Sequence, residues 1–162
     1  MPVEIERKFL VVGASWRAAV TRTELFRQGY LATSDACSVR VRVAAGAGTL
    51  NIKGRVAGAR RAEYEYAIPL AEAEELLALC SEGRIDKHRH FIPHAGHTWE
   101  VDEFFGENAG LIVAEVELDD ESESLELPPW AGAEVTEDVR YYNSSLARAP
   151  WREWGTAPGV SA

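Results

Sequence analysis

The sequence contains few cysteines and no long apolar run. Its 162 residues include two cysteines, Cys37 and Cys80, whose separation matches no metal-binding or CxxC motif. We therefore expect free thiols and a reducing, cytoplasmic location. No apolar run approaches the roughly 18–20 residues that span a bilayer, and no cationic start followed by an apolar segment indicates a secretory signal. Neither a membrane partner nor secretion is predicted.

Positive charge is also scarce. Lys and Arg total 17 against 26 Asp and Glu, which gives a formal net charge of -9. This balance argues against a general basic surface that wraps nucleic acid, and no nucleic-acid partner is predicted. It does not forbid a local basic pocket. The length suits one domain, predicted over 1–149, followed by a tail over 150–162 that is expected to fray from Trp151 onward.

Alternation of apolar and polar side chains, with a period of two residues, runs through most of the chain. Such a pattern predicts strands with two chemically different faces. The predicted strands span 3–11, 25–33, 37–44, 48–56, 61–69, 84–93, 97–105 and 111–119. Helices are predicted over 14–21, 71–80 and 139–149. The predicted fold class is therefore mainly β, within α+β, with a few covering helices.

The first predicted strand separates charged from apolar side chains. Glu4, Glu6 and Lys8 fall at every second position, and Ile5 and Phe9 fall between them. Because successive side chains of a strand point to opposite faces, the three ionised groups share one face. Two carboxylates and an ammonium group side by side suit a divalent cation and one end of a polyanion.

The other predicted strands repeat this separation. Cations predominate on the third and fourth strands, and acids on the seventh and eighth. About eight antiparallel strands can close into a barrel with room for side chains and one small ligand. A sandwich with a solvated face would explain any single strand, but ionised side chains of segregated sign on nearly every strand favour a charged barrel interior. A centre lined by Val39, Val41 and Val116 would contradict this prediction.

The basic strands and the acidic strands of such an interior favour different parts of one ligand. Arginine offers paired hydrogen bonds to phosphate oxygens. Mg²⁺ takes oxygen ligands and usually bridges carboxylates to substrate phosphates. Because buried charges of both signs are costly without partners, the two halves together predict a site for a metal–polyphosphate complex.

Nine short motifs point to a known family. They are EIERKFLV at 4–11, RQGYL at 27–31, RVR at 40–42, NIKG at 51–54, RAEYEY at 61–66, DKHR at 86–89, WEVDEF at 99–104, AEVEL at 114–118 and EVTEDVRYYN at 134–143. In this order they resemble the CYTH superfamily, also called triphosphate tunnel metalloenzymes, and most closely its short bacterial members that hydrolyse inorganic tripolyphosphate. The resemblance implies an eight-stranded antiparallel closed barrel that binds a small-molecule triphosphate with Mg²⁺, or Mn²⁺.

The resemblance also implies roles for individual residues. Glu4, Glu6, Glu115 and Glu117 resemble metal ligands, and Glu63, Glu65 and Asp102 resemble groups that hold a second metal or orient water. The residues that resemble a phosphate clamp are Lys8, Arg40, Arg42, Lys53, Lys87 and Arg89. The resemblance also implies that Lys8, paired with Tyr30, is the general base. Arg40 and Arg42 nearby are expected to lower the pKa of Lys8. Lys87 is the other candidate base.

Several alternatives keep the same fold. Thiamine triphosphatase needs a site for the thiamine head, class IV adenylate cyclase must hold adenine, and RNA triphosphatase needs a path for a 5′ strand. No cluster that reads a base is evident, so hydrolysis of tripolyphosphate to pyrophosphate and phosphate is the preferred prediction. A non-catalytic polyphosphate-binding module is the alternative from another class. The sequence leaves both a monomer and a homodimer open.

Two further segments of the sequence bear on function. The stretch from Arg140 to Arg148 is predicted to be a covering helix near one tunnel mouth, and a gating role is the alternative. His88 and His90 are out of phase with Lys87 and Arg89 and are expected to face outward. No cysteine or carboxylate is expected to complete a tetrahedral set with these histidines, so zinc is not predicted.

Overall fold

The structure is a computed structural model that describes residues 2–80 and 83–154. Its strands are β1 (Val3–Val11), β2 (Arg22–Thr33), β3 (Cys37–Ala44), β4 (Ala47–Gly54), β5 (Arg60–Ile68), β6 (Arg84–His94), β7 (His97–Phe104), β8 (Ile112–Glu117) and β9 (Ala131–Glu134). Its α-helices are α1 (Leu70–Ala78), α2 (Asn143–Arg148) and α3 (Trp151–Trp154), and short 3₁₀ helices span Ser15–Ala19, Gly106–Asn108 and Val139–Tyr141. None of these helices is long and apolar enough to cross a membrane.

The first eight strands close into an antiparallel barrel. Neighbours follow the order β5-β4-β3-β2-β6-β7-β8-β1, and β1 also pairs with β5. β1 closes the ring because Val3–Ile5 pair with β5 whereas Glu6–Leu10 pair with β8. β9 adds to β1 beyond the point where β5 leaves it, with Val11 opposite Ala131. The predicted eight-stranded closed barrel is confirmed.

Helix α1 covers one side of the barrel from outside. Val41 and Val43 of β3 are buried there against Ala73 and Leu77. The helix lies so close to β4 that a Cβ added to Gly48 would be 2.5 Å from the Cβ of Ala73. Only glycine fits at this contact without a backbone shift. The apolar face of these strands is therefore the outer face, as predicted.

A second apolar layer lies on the opposite outer side. Phe9, Trp99 and Val116 are buried there beneath Trp16 of the first 3₁₀ helix and Trp130, which precedes β9. The rings of Phe9 and Trp99 are 5.4 Å apart, and those of Trp99 and Trp130 5.5 Å apart. Such aromatic contacts add to the free energy gained from burial. With both apolar layers outside, the inward faces are left to the charged side chains.

One end of the barrel interior is filled by apolar side chains. The cluster, called here the end cluster, consists of Ile85, Phe104, Leu111, Val113, Leu146 and Trp154. Ile85, Phe104 and Val113 share strand faces with the inward charged residues, and α2 and α3 bring Leu146 and Trp154 against them. Helices α2 and α3 therefore cover this end of the barrel.

Several element predictions need correction. The helix predicted over 14–21 is the short 3₁₀ helix Ser15–Ala19, and the helix predicted over 139–149 is broken at Tyr142, whose ψ of 138° is extended. β9 was not predicted, because four residues are too few to show alternation. The expectation that the chain frays from Trp151 is wrong for α3, since Trp154 is 9% exposed. The rest of that tail, 155–162, lies outside the described residues.

Candidate active site

A cavity of about 580 Å³ occupies the barrel interior. Side chains from all eight barrel strands line it. The predicted site residues among them are Glu4, Glu6, Lys8, Tyr30, Arg40, Arg42, Lys53, Glu63, Glu65, Lys87, Arg89, Glu115 and Glu117. Strand parity therefore predicted the inward side of the barrel correctly, with Asp102 as a special case described below.

Two arginines of β3 face this cavity and form no ion pair with a carboxylate of the described residues. Arg40 is 6% exposed, and its Nε has no hydrogen-bond partner among the described residues. Arg42 donates from Nε to the neutral Oε1 of Gln28 at 2.9 Å. Burial, together with Arg40 and Arg89, lowers the pKa of Arg42, although an arginine remains charged at neutral pH. Two guanidinium groups, one buried and one half-buried, that lack a carboxylate in direct contact within the described part of the chain are suited to an anionic ligand.

Carboxylates crowd together across the cavity, where β1 meets β8. Glu6 and Glu117 are directly opposite each other in the pairing of these strands. Burial and the neighbouring carboxylates of Glu115 and Glu4 raise the pKa of Glu6 well above its usual range. A carboxyl group in such surroundings must hold a proton unless a cation takes its place. This set of oxygen donors fits a hard divalent cation.

Glu4 lies at the boundary between the acidic and basic groups. Its Oε2 is 2.8 Å from Lys53 Nζ and 3.6 Å from Arg61 Nε. Burial opposes ionisation, but Lys53, a hydrogen bond with Glu63 and Arg61 together lower the pKa of Glu4. The same hydrogen bond, added to burial, raises the pKa of Glu63 to about 7. Glu4 and Glu63 thus share one proton near neutral pH.

Lys8 has acidic neighbours, contrary to the expectation from sequence. Its Nζ donates to Glu115 Oε1 at 2.8 Å and is 3.9 Å from Glu6 Oε1. Burial opposes the charge, but Glu115 and Glu6 raise the pKa of Lys8 overall. The predicted lowering by Arg40 and Arg42 is therefore wrong. The aromatic ring near Lys8 is that of Tyr142, 5.8 Å from Nζ, so the expected pairing with Tyr30 is not observed.

Lys87 and Arg89 share one buried carboxylate, that of Asp102. Its Oδ2 accepts from Lys87 Nζ at 2.6 Å, and its Oδ1 accepts from Arg89 Nε at 2.8 Å. Asp102 is 0% exposed and does not line the cavity, so its oxygens are committed to these cations. In this arrangement Asp102 positions Lys87 and Arg89. Its predicted role in holding a second metal or orienting water stays a prediction.

The surroundings of Lys87 favour a neutral amine. Burial lowers the pKa of Lys87 to about 7, because Asp102 offsets the loss of hydration only in part and Arg89 adds repulsion. Arg89 behaves differently, since Asp102, Glu100 and Glu115 outweigh burial and raise its pKa. Lys87 is therefore the cavity-lining lysine that can lose a proton near neutral pH.

Three polar residues of this network were not predicted as site residues. Asn143, the first residue of α2, accepts at Oδ1 from Lys87 Nζ at 2.9 Å and from Gln28 Nε2 at 3.0 Å. Glu100 pairs with Arg89, and burial, with Glu115 and Asp102, raises its pKa. Gln28 and Glu100 share strand parity with the inward charged residues, a usable signal. Asn143 gave none, because its position depends on the path of the C-terminal segment.

Glu65 and Glu117 are the exposed residues among the predicted metal ligands, but Glu65 lies on a different strand from the crowded carboxylates. Glu65 is on β5, and its Oε2 accepts from Asn51 Nδ2 at 2.8 Å. Asn51 is fully buried and is also 3.4 Å from Glu63 Oε1. Glu65 therefore lies at the rim of the cavity, away from the crowded carboxylates of β1 and β8.

Comparisons with known proteins agree with this geometry. The family model described as CYTH domain matches residues 2–149. The chain is 46% identical over 155 residues to an inorganic triphosphatase of Acetivibrio thermocellus, covering 95% of this chain and 99% of that protein. It is 37% identical to an inorganic triphosphatase of Nitrosomonas europaea, covering 89% and 96%. A crystal structure of an inorganic triphosphatase superposes with a TM-score of 0.68 at 34% identity, covering 91% of this chain and 96% of the other. The closed barrel, its charged interior and these matches together show that the chain belongs to the CYTH family.

Proposed function

We propose that this protein is a metal-dependent inorganic triphosphatase that hydrolyses tripolyphosphate to pyrophosphate and phosphate. Water attacks a terminal phosphorus, the bond from that phosphorus to the bridging oxygen breaks, and one water proton is released to the protein. The proposal extends to this chain the activity named for its relatives in Acetivibrio thermocellus and Nitrosomonas europaea.

The observation that carries the proposal is the separation of charge across the cavity. Arg40 and Arg42 face the interior, and neither forms an ion pair with a carboxylate in the part of the chain that the structure describes. Across from them, Glu6 lies beside Glu115 and Glu4, which raise its pKa. A polyphosphate would supply the anion that the arginines lack. A divalent cation would supply further positive charge beside Glu6, whose neighbours Glu115 and Glu4 already pair with Lys8 and Lys53. A single uncharged ligand would leave both sets unsatisfied.

The residues that would hold Mg²⁺ or Mn²⁺ are Glu6, Glu115 and Glu117, with Glu4 and Glu63 adjacent. When bound, the cation neutralises phosphate oxygens and so stabilises charge that develops during phosphoryl transfer. Glu65 lies at the rim, and we assign it no direct contact with the cation.

The cations of the barrel position and stabilise the phosphates. Arg40 and Arg42 offer paired hydrogen bonds to phosphate oxygens, and Arg89 and Lys53 extend the basic surface toward β6 and β4. In phosphoryl transfer most of the catalytic effect comes from such positioning and electrostatic stabilisation. Lys8, whose pKa is raised, acts here as a fixed positive charge and not as a base.

Lys87 is the proton acceptor in this proposal. Its lowered pKa makes a neutral amine available near neutral pH, and Asp102 and Asn143 fix the position of Nζ. A base whose pKa lies near the working pH is the most effective one. The role first expected for Lys8 and Tyr30 is therefore assigned to Lys87.

Phosphate release from a panel of substrates tests the proposal. Tripolyphosphate, ATP, thiamine triphosphate and a 5′-triphosphorylated RNA are each incubated with and without Mg²⁺. We expect Mg²⁺-dependent release that is fastest from tripolyphosphate. Faster turnover of a nucleotide, thiamine triphosphate or RNA would contradict the assigned substrate. Metal-dependent binding of tripolyphosphate without phosphate release would instead identify a polyphosphate-binding module.

A further inference from the structure

Three potential metal ligands meet on the outer surface of the barrel. His88 and His90 of β6 alternate with Lys87 and Arg89, so they point away from the cavity, and His88 is paired with Glu103 of β7. One ligand atom from each of His88, His90 and Glu103 lies within 4.8 Å of the other two. The expectation that no carboxylate completes a set with these histidines is therefore wrong.

Neighbouring groups hold two of these side chains in position. His90 Nδ1 is 2.8 Å from Thr23 Oγ1, and its Nε2 is 3.1 Å from Glu103 Oε1. The other carboxylate oxygen of Glu103 accepts from Arg17 Nη2 at 2.8 Å. His90 and Glu103 thus each have one atom anchored away from the centre of the cluster and one directed toward it, with Glu103 Oε1 also 3.4 Å from Arg17 Nη1. Partners that orient a ligand in this way are typical of metal sites in proteins.

Two aromatic side chains also border the imidazoles of the cluster. The ring of His90 lies 5.0 Å from that of Trp16, and the ring of His88 lies 4.7 Å edge-on from that of Phe105. His90 itself is 8% exposed. Such a setting limits the rotation of the imidazoles and reduces their hydration, which lowers the cost of exchanging water for a metal ion.

We propose that His88, His90 and Glu103 form a binding site for a transition-metal ion such as Zn²⁺, separate from the site in the cavity. Two imidazoles and one carboxylate are a ligand set that Zn²⁺ accepts, with water in the fourth position. The 3.1 Å between His90 Nε2 and Glu103 Oε1 is close to the ligand separation that Zn–N and Zn–O bonds of about 2.0–2.2 Å produce. Mg²⁺ prefers oxygen ligands to imidazole. The two sites therefore differ in the metal ion that they select.

A metal ion bound at this site would link side chains of the paired strands β6 and β7. Both strands carry interior residues, Lys87 and Arg89 on β6 and Asp102 on β7, on the faces opposite the proposed ligands. A metal bound to the native state alone stabilises the fold by mass action. At a free Zn²⁺ concentration about 100 times its Kd, the midpoint of thermal unfolding should rise by roughly 5–10 °C.

The test measures Zn²⁺ binding to the full chain by calorimetry, in excess Mg²⁺ so that the carboxylates of the cavity are occupied. X-ray absorption of the Zn²⁺-loaded protein then identifies the ligands. We expect a Zn²⁺ site with two imidazoles, and loss of at least about tenfold in affinity for both His88→Ala and Glu103→Gln. Circular dichroism and the unfolding midpoint without metal establish that each variant is folded.

His94→Ala is the matched control, since His94 also lies on the outer face of β6 but outside the cluster. It should bind Zn²⁺ as the wild type does. Unchanged affinity in folded His88→Ala, absorption without imidazole ligands, or loss of binding in His94→Ala would each overturn the proposal. None of these readouts depends on hydrolysis, so a failure here is distinguishable from failure of the proposed activity.

Discussion

Lys8 and Lys87 line the same cavity, yet their surroundings shift the pKa of the two ammonium groups in opposite directions. Lys8 hydrogen-bonds to Glu115, which stabilises its positive charge. Lys87 is fully buried, with Arg89 close by, and its pKa falls to about 7 despite the contact with Asp102. Residue type alone therefore does not assign a chemical role within this barrel. The contacts of each side chain decide it.

Substitution of Lys87 tests its role as proton acceptor. Turnover of the wild type should rise with pH through about 7, as Lys87 loses its proton. In Lys87→Met we expect kcat to fall by about 100-fold or more, with a smaller change in KM and without this pH-dependent rise. Initial rates of phosphate release from pH 5 to 9, with saturating Mg²⁺, measure both effects.

Lys87→Arg is the matched variant, because arginine keeps the positive charge but does not become neutral in this range. It should bind tripolyphosphate with little loss while its kcat falls as in Lys87→Met. If Lys87→Arg turns over at the wild-type rate, Lys87 acts only as a charge.

Carboxylates at different depths should contribute unequally to metal binding. Glu6 is half-buried and lies beside the buried carboxylates of Glu4 and Glu115, whereas Glu65 is exposed and bonded to Asn51. We expect Glu6→Gln to raise the Mg²⁺ concentration for half-maximal activity by at least about tenfold. Glu65→Gln, the same chemical change at the rim, should alter it by less than about twofold. Titration of activity with Mg²⁺ compares them, and equal effects would contradict the assigned positions.

Helix α2, which is six residues long, contributes both to the candidate site and to the packing of the end cluster. Its first residue, Asn143, hydrogen-bonds to Lys87, and Leu146 one turn later is fully buried in the end cluster. The packing of Leu146 therefore holds Asn143 beside the site. Deletion of the chain after Asn143 would expose Ile85, Phe104 and Val113, so it should destabilise the barrel as well as change activity.

Truncation of Leu146 tests this packing. Leu146→Ala should lower the free energy of unfolding by about 2–5 kcal/mol, since it leaves a cavity in the end cluster. Leu79→Ala is the matched control, because Leu79 follows α1 and is 73% exposed. Its effect should be within about 0.5 kcal/mol. Urea unfolding followed by circular dichroism measures both, and similar losses in the two variants would contradict the assigned role of α2.

Element predictions from the sequence succeeded where a period of two residues persisted over many positions. The eight barrel strands carry that pattern because one face is apolar and the other charged. β9 is four residues long and follows two prolines, so its sequence shows no alternation. Tyr142 has an ordinary helix-compatible side chain, and the break there depends on the path from β9 into the end cluster. Such tertiary effects leave no local pattern.

The strand face on which the site residues lie was also predictable, because it follows from the same alternation with a period of two residues. Parity placed Arg40, Arg42 and the carboxylates of β1 and β8 on the inner face, which the cavity lining confirms. It could not distinguish Asp102, which the structure places beneath Lys87 and Arg89, from residues that reach the cavity. Parity reports direction only, whereas depth and partner choice depend on how neighbouring strands are staggered.

For the molecule as a whole, crowded carboxylates link stability to pH and to metal. Burial and the hydrogen bond with Glu4 raise the pKa of Glu63 from its usual 4.5 to about 7. The folded state then holds a proton that the unfolded chain releases, so this contribution is complete below pH 4.5 and is lost as pH rises through about 7. Glu6 acts in the same direction.

The expected outcome is a pH-dependent effect of Mg²⁺ on thermal unfolding. Without metal, the unfolding midpoint should fall as pH rises from about 4.5 to about 7. With saturating Mg²⁺ the fall should be smaller or absent, because the cation replaces the shared protons. Circular dichroism melts at a series of pH values, with Mg²⁺ or with a chelator, compare the two. Parallel curves would contradict the coupling of Mg²⁺ to these carboxylates.

The apolar layers outside the barrel have a consequence for how such proteins diversify. Two apolar clusters lie outside the barrel, beneath α1 and around Trp99, on strand faces opposite the cavity. Burial of such apolar surface favours folding. Inward substitutions that preserve charge balance can therefore accumulate without disturbing those contacts. A scaffold of this kind can acquire new anionic substrates through interior changes alone, which makes it a suitable starting point for directed evolution of phosphate chemistry.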